Sequence, residues 1–220
     1  MQLFFIGDVH GCYHTFEALL EHWNPETEYL VQVGDLIDRG NFPVEVIRRV
    51  QEIQQKYPEN ASFIRGNHEQ MLIDHLENGK IGGTWLFNGG QKTMDEFKKH
   101  DIDLDSLLPW LRNSPLKWEN DHIFASHAGI SKADCNVYDV HHPDGILWNR
   151  KKLKKIPKIQ VIGHTPQADG KASFTTASQH WNVDTGAYRG FCLTGIKLRN
   201  NGDFLEEINI PTLEQDCTLR

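Results

Sequence analysis

Short polar stretches stand at the ends of five apolar runs in this 220-residue sequence, and each contains side chains that can do chemistry. GDVHG follows LFFI near the amino terminus, and later runs lead into GDLIDRG, GNHE, HAG and GHTP. A glycine in each stretch lets backbone or ligand approach closely. The carboxylate, amide and imidazole groups so placed belong to Asp8, His10, Asp35, Asn67, His127 and His164.

This set of donor groups is typical of a catalytic metal centre. Imidazole, carboxylate and amide oxygen without thiolate suit manganese, iron or zinc far better than they suit a structural zinc site built on cysteine. Three histidines, two aspartates and one asparagine are too many ligands for a single open site, but they divide naturally between two ions if one aspartate bridges. We expect two divalent ions, with Mn2+ preferred over Fe or Zn, and Asp35 as the bridge.

The elements that carry these residues predict an α/β fold. LFFI, YLVQV and ASFIR predict strands, and helices are predicted over about 13–22, 43–57 and 69–78. This βαβαβ order indicates a parallel sheet. Because the carboxyl ends of such strands face one crevice, residues scattered over more than half of the chain can converge there.

The remainder of the chain is first irregular and then rich in strands. Between 80 and 120 we predict a helix over about 94–99, glycine pairs at 82–83 and 89–90, and breaks at Pro109 and Pro115. HIFASH, KIQVIGH, HWNVDT, FCLTGIKLR and FLEEINI predict strands, and Asn201-Gly202 predicts a hairpin between the last two.

Composition limits the classes of protein that fit. The length suits one domain over residues 1–220, and a formal net charge of -7 argues against a nucleic-acid partner held by a basic surface. The four cysteines form no CxxC pattern, which favours a reducing compartment. No apolar stretch reaches membrane-spanning length. We therefore expect a cytoplasmic protein with no nucleic-acid or membrane partner.

Taken in order, the five polar stretches resemble the signature of the calcineurin-like metallophosphoesterases and, within them, the phosphoprotein phosphatase branch. GNHEQMLID, WLFNGG, LWNR and VDTGA resemble the bacteriophage lambda type of serine/threonine protein phosphatase and its bacterial relatives. The resemblance runs from Gly7 to Ala187 and implies two mixed β-sheets packed as a sandwich and flanked by helices. Ala128 stands where the family often has glycine and Asn41 where proline is common; neither departure removes a ligand.

The resemblance also divides the ligands between the two ions. It implies that one ion is held by Asp8, His10 and Asp35, and the other by Asp35, Asn67, His127 and His164. The four positive charges of the ions, less two for the aspartates, match a phosphate monoester dianion. Metal binding lowers the pKa of water to about 7, so a bridging hydroxide can attack without a protein base.

A leaving alkoxide needs a proton, and His68 of GNHE is the candidate donor. The resemblance places Asp38 against this imidazole, where a carboxylate raises the imidazole pKa and orients the ring. Arg39 and Arg150 are predicted to bind phosphate, because a planar guanidinium meets two oxygens at once.

The run RKKLKK, residues 150–155, is interpreted as a solvated helix face or, alternatively, as a docking surface for acidic phosphorylated substrates. Asp184 of VDTGA either orients a ligand or terminates a strand.

Three functions from different classes fit these residues. The first, which we expect, is a metal-dependent phosphomonoesterase acting on phosphoserine and phosphothreonine in proteins or peptides, with tolerance for phosphotyrosine. The second is a bis(5'-nucleosyl)-tetraphosphate pyrophosphohydrolase, which shares most of the metal motifs. The third is a non-catalytic phosphopeptide-binding module, which would be expected to lack a ligand or the acid. Every such residue is present in the sequence.

Overall fold

The computed structural model of the chain describes residues 1–79 and 85–217. The α-helices within these ranges are α1 (Tyr13–Leu20), α2 (Pro43–Lys56), α3 (Asn67–Asn78), α4 (Gln91–Lys99) and α5 (Leu104–Asn113). The strands are β1 (Gln2–Ile6), β2 (Glu28–Gln32), β3 (Ala61–Phe63), β4 (Lys117–Glu119), β5 (Ile123–Ser126), β6 (Ile159–Ile162), β7 (Ser173–Thr175), β8 (His180–Asn182), β9 (Cys192–Arg199) and β10 (Phe204–Pro211). The predicted glycine pair at 82–83 lies outside the described residues.

A first sheet has the strand order β10-β9-β1-β2-β3. Strands β1, β2 and β3 are parallel, as the βαβαβ pattern predicted, while β9 and β10 add antiparallel pairs at the other edge. The predicted hairpin joins β9 to β10. Its turn is closed by Gly202 N, which donates to the Arg199 carbonyl at 2.8 Å, and Gly202 has a φ of +92° that favours glycine.

A second sheet has the order β4-β5-β6-β8-β7, with β5, β6 and β8 parallel and the two edge strands antiparallel. Sequence reasoning did not predict β4 or β7. Each has three residues, which is too short for an alternating pattern to be recognised.

The two sheets pack face to face, and β1 shows why its apolar run is continuous. Successive side chains of a strand point to opposite faces. Leu3 and Phe5 pack between the sheets with Val161 of β6, whereas Phe4 and Ile6 pack beneath the helices. Both faces of β1 are therefore buried, and every position after Gln2 is apolar. The predicted sandwich of two mixed sheets is confirmed.

The helices cover the outer face of the first sheet. Apolar side chains from α1 to α5 share one cluster with Phe4 and Ile6. The outer face of the second sheet is covered by the irregular segment 130–156, through Ile146 and Leu147 packed on Phe124. Within the described residues, flanking helices thus lie on one side of the sandwich.

Helix α5 corrects one prediction. Pro109 was expected to break a helix, yet it lies inside α5. Proline there removes one backbone hydrogen bond, but Leu107 and Leu111 are buried on either side of it, and burying a leucine contributes about 2 kcal/mol. Tertiary packing of these two leucines outweighs the local cost.

None of the described helices is long and apolar enough to cross a bilayer. The longest, α2, has 14 residues, whereas a spanning helix needs about 20.

Candidate metal centre and active site

The strand ends bring the predicted ligands to one edge of the two sheets. Five of the parallel strands supply them: Asp8 and His10 follow β1, Asp35 follows β2, Asn67 begins α3 after β3, His127 follows β5 and His164 follows β6. All six side chains are buried. Helix α3 begins at Asn67, two residues earlier than predicted, so this amide belongs to the first helical turn.

One group of donor atoms surrounds Asn67 Oδ1. His127 Nε2 and His164 Nδ1 each lie 2.8 Å from that oxygen and 3.1 Å from each other. His127 Nε2 also lies 3.4 Å from Asp35 Oδ1. Two imidazoles, an amide and a carboxylate therefore converge as the sequence predicted.

A cation fits between these atoms. His127 Nδ1 donates to the Val33 carbonyl at 2.9 Å, and His164 Nε2 donates to the Trp148 carbonyl at 3.2 Å. In the neutral rings the remaining nitrogens therefore carry lone pairs, which face the acceptor oxygen of Asn67. Three acceptors that face one another repel unless a positive charge lies between them.

The second group lies at the other carboxylate oxygen of Asp35. His10 Nε2 is 3.4 Å and His68 Nε2 is 3.9 Å from Asp35 Oδ2. His10 Nδ1 donates to the Ile37 carbonyl at 2.8 Å, which leaves its Nε2 unprotonated in the neutral ring. The two oxygens of Asp35 thus face different groups, an arrangement that allows this carboxylate to bridge two ions.

Asp8 is placed differently from the prediction. In the second group the donor atoms within 4.8 Å of one another belong to His10, Asp35 and His68, not Asp8. Asp8 Oδ2 accepts the backbone N–H of His164 at 3.0 Å. Its role as a ligand stays a prediction.

Two further carboxylates raise the negative charge of this buried region. Burial, with Asp184 and Asp35 nearby, raises the pKa of the Asp8 carboxyl well above its usual range. Burial also raises the pKa of Asp184 to about 6. Asp184 Oδ1 accepts from Gly186 N at 3.0 Å, and its Oδ2 is buried with no hydrogen-bond partner among the described residues. Three buried carboxylates in proximity favour bound cations, and Asp184 belongs to this charge cluster.

The protonation states of His10, His164 and Asp35 also suit metal binding. Burial, followed by the positive charge of Arg39, lowers the pKa of His10 well below its usual range, and burial with His127 does the same for His164. Burial alone would raise the pKa of Asp35, but neighbouring imidazoles outweigh it and hold that pKa well below its usual range. Burial alone would lower the pKa of His127, but the Asp35 carboxylate outweighs it and raises that pKa above its usual value. Neutral imidazoles and an ionised carboxylate are the forms that bind metal, so His127 binds an ion with loss of its proton.

The site is built on strained backbone. The proposed site residues in the left-handed region are His10 (φ +45°), Asp35 (+59°), Asp38 (+71°), Arg39 (+68°) and His164 (+70°). Each such residue costs on the order of 1–3 kcal/mol, which the surrounding contacts must offset. The neighbouring glycines leave the room required: a β-carbon at Gly163 would overlap Asp8 Oδ1, and one at Gly66 would overlap Asp35 Oδ1.

His68 and Asp38 form a buried pair, as predicted from the resemblance. His68 Nδ1 lies 2.6 Å from Asp38 Oδ2. The same oxygen accepts from Trp85 Nε1 at 2.7 Å, and Asp38 Oδ1 accepts from Thr93 Oγ1 at 2.6 Å. Sequence reasoning assigned no role to Trp85 or Thr93; the only signal was WLFNGG, which begins at Trp85.

A cavity of about 410 Å³ opens over the pair. Arg39, His68 and Arg150 line it together, so both predicted phosphate-binding arginines reach the same space. Arg150 Nη1 donates to Thr165 Oγ1 at 3.4 Å. Arg39 Nη1 lies 2.5 Å from His10 Nε2.

Arg39 is also held by an aromatic ring that sequence reasoning did not single out. Its guanidinium carbon lies 4.2 Å from the centroid of Tyr188, and that ring packs edge-on against His10 at 5.0 Å. Stacking of this kind stabilises a cation by about 0.5–2 kcal/mol. Tyr188 therefore keeps the guanidinium beside the metal-binding groups.

The run RKKLKK is not a helix face. Residues 150–155 are irregular, and Leu153 is buried in a short bridge to Ser131. Asn149 Oδ1 accepts from Lys151 N at 3.0 Å, a local side-chain bond that competes with helix formation. The interpretation of residues 150–155 as a solvated helix face was therefore wrong.

The sequence pattern of the calcineurin-like phosphoesterase family matches residues 1–199, which includes every residue of both groups. The chain belongs to the calcineurin-like phosphoesterases. Members of this family use two metal ions, and the two groups that share Asp35 are the candidate ligands in this phosphoesterase.

Similar proteins differ in substrate. A symmetrical bis(5'-nucleosyl)-tetraphosphatase from Erwinia tasmaniensis is 34% identical over 60% of this chain and 45% of its own length, so the match spans less than half of that relative. Serine/threonine-protein phosphatase 1 of Salmonella typhimurium is 29% identical over 88% of this chain and 90% of its own. The structure of a cold-active protein-tyrosine phosphatase from a Shewanella species has a TM-score of 0.68 at 18% identity, covering 95% of this chain and 80% of that one. The first two relatives share sequence with this chain and the third shares its fold, but the three names give different substrates.

Glu69 shapes the metal loop of this phosphoesterase, and sequence reasoning missed its role. Its carboxylate accepts the backbone N–H groups of Asp35 at 2.9 Å, Leu36 at 2.8 Å and Gly66 at 2.8 Å. It thereby ties the loop after β2 to the start of α3. The signal available was the capping box of GNHE, in which the third helical residue bonds back to the cap.

Replacing Glu69 with alanine is expected to lower the free energy of unfolding by about 3 kcal/mol or more. The change leaves three buried N–H groups without acceptors, and each costs about 1–3 kcal/mol. Urea denaturation measures the loss. Glu52→Ala, at a side chain that is 66% exposed, is the control and should shift stability by less than about 0.5 kcal/mol. Equal stability of the two variants would contradict the role of Glu69.

Proposed function

We propose that this phosphoesterase is a metal-dependent serine/threonine protein phosphatase acting on phosphorylated proteins or peptides. Both sheets supply ligands, so we treat residues 1–220 as one catalytic domain. The residues that would hold two divalent ions, Mn2+ by preference, are Asp8, His10, Asp35, Asn67, His127 and His164. When bound, such ions polarise the phosphoryl group and lower the pKa of water to about 7, which makes hydroxide available as the nucleophile.

The main support for the proposal is the buried His68–Asp38 pair beside the cavity. His68 Nδ1 faces the Asp38 carboxylate at 2.6 Å, so the transferable proton is on Nε2. A serine or threonine alkoxide is about as basic as hydroxide and leaves only with a proton. When a polyphosphate is cleaved, the leaving group is itself a phosphate with a second pKa of about 6, which leaves without one. An oriented imidazole acid is therefore most useful for esters of alcohols.

The arginines supply the phosphate contacts. Arg39 and Arg150 line the cavity from separate segments of the chain, and two guanidinium groups can bind the non-bridging oxygens of one phosphoryl group. Their charge also stabilises the electron density that shifts during transfer. When the phosphoryl group is held by the two arginines, the rest of a phosphorylated peptide lies at the cavity mouth.

A bis(5'-nucleosyl)-tetraphosphate pyrophosphohydrolase is the second candidate, because the Erwinia tasmaniensis relative carries that name. A non-catalytic phosphopeptide-binding module is less well supported. All predicted ligands and the His68–Asp38 pair are retained and buried together.

A comparison of substrates on the purified, manganese-loaded protein tests the proposal. We expect kcat/KM for a phosphoserine or phosphothreonine peptide to exceed that for diadenosine tetraphosphate at least about tenfold, equivalent to roughly 1.4 kcal/mol of transition-state binding. If the dinucleotide were the better substrate, and alanine at Lys151, Lys152, Lys154 and Lys155 removed that advantage, the pyrophosphohydrolase would replace the phosphatase.

A further inference from the structure

The cavity has a third charged side chain besides the two arginines. Asp74 of α3 lines it, with its side chain 15% exposed. Asp74 Oδ1 accepts from Gln70 Nε2 at 2.8 Å, and Oδ2 lies 3.5 Å from His141 Nδ1. Phosphate binding does not require this carboxylate, because like charges repel across a small cavity.

Helix α3 sets the distance between Asp74 and the proposed acid. His68, Met71 and Asp74 follow at intervals of three residues, and all three line the cavity. With a rise of 1.5 Å per residue, Asp74 lies about 9 Å beyond His68 along the helix axis. A leaving group that takes its proton from His68 would therefore extend past Met71 towards Asp74.

We infer that Asp74 selects the leaving group by binding a lysine or arginine side chain close to the phosphorylated residue of a peptide. The inference rests on the proposed phosphatase function. An extended peptide advances about 3.4 Å per residue, so a residue two positions from the phosphoresidue lies about 7 Å away. A lysine there reaches the Asp74 carboxylate.

The charges of the cavity suit such a substrate and oppose a polyphosphate. Arg39 and Arg150 attract the phosphoryl group, and Asp74 attracts a cation on the leaving group. A second phosphate at that position would meet the Asp74 carboxylate instead. His141, whose side chain is 64% exposed, leaves room beside Asp74 for a cation from the substrate.

Two phosphothreonine peptides test the inference, one with lysine at the second position on both sides of the phosphothreonine and one with alanine there. The wild-type protein is expected to prefer the lysine peptide by about fivefold in kcat/KM, the scale of one partly exposed ion pair. In Asp74→Asn the ratio should fall to about one. Glu77→Gln is the matched control: Glu77 is also on α3 but bonds to Arg112, and its ratio should stay near that of the wild type.

A wild-type ratio near one, or a ratio that Asp74→Asn does not change, overturns the inference, while hydrolysis of the alanine peptide preserves the phosphatase function. Failure of the wild type to hydrolyse either peptide overturns the function and the inference with it. If Asp74→Asn does not fold, a salt series on the wild type replaces it. Screening from about 0.05 to 0.5 M salt should bring the ratio towards one, and a ratio independent of salt overturns the inference.

Discussion

Asparagine at position 35 is expected to leave the protein unable to retain two metal ions and to lower turnover at least about 100-fold. The two oxygens of Asp35 face different groups, with His127 at 3.4 Å on one side and His10 at 3.4 Å on the other. The amide has no negative charge and offers only one oxygen, so one ion loses a ligand and the other keeps only a neutral one. Even residues that merely orient metal ligands contribute about 10- to 100-fold to metal affinity or activity.

Metal analysis after dialysis measures this directly, with circular dichroism to verify the fold. Asp203→Asn is the control, because Asp203 lies in the exposed turn between β9 and β10, and its loss should change neither metal content nor turnover. An Asp35→Asn protein that retained two tightly held ions would contradict the bridging assignment.

Asparagine in place of His68 is expected to keep the metal ions and to lower turnover of alkyl phosphates by roughly 10²–10⁴, the range for a general acid. An aryl phosphate should lose much less, since its leaving group needs little help from a proton. Parallel kinetics on p-nitrophenyl phosphate and a phosphoserine peptide measure the difference.

The same variant separates two roles that the structure brings close together. His68 Nε2 lies 3.9 Å from Asp35 Oδ2, within reach of the second group of donor atoms. Retained metal with unequal losses indicates the acid, whereas lost metal would make His68 a ligand, and equal losses on both esters would count against the acid role. His22→Asn, at an exposed position in no motif, should behave as wild type.

Much of the site could be predicted because parallel strands deliver their carboxyl ends to one edge. Asp8 and Asp35 follow the neighbouring parallel strands β1 and β2 of the first sheet, so their convergence follows from the βαβ order. His164 follows β6 of the second sheet, and only the face-to-face packing of the two sheets brings it to the same edge. The two sheets confirm the predicted sandwich, and the family match over residues 1–199 confirms the resemblance.

Other residues escaped prediction because their roles exist only in the folded chain. Trp85 and Thr93 orient Asp38 from 47 and 55 residues away, and no local pattern marks such a contact. Leu153 likewise turns RKKLKK into an anchored irregular segment by inserting one buried side chain. Pro109 stays inside a helix because tertiary burial outweighs a local rule.

Anomalous scattering from crystals of the manganese-loaded protein can show whether Asp35 bridges two ions. We expect two manganese peaks about 3.5–4 Å apart, with the Asp35 carboxylate between them and the ligand nitrogens of His10 and His127 on opposite sides. A single peak, or two peaks of which only one contacts Asp35, would contradict it.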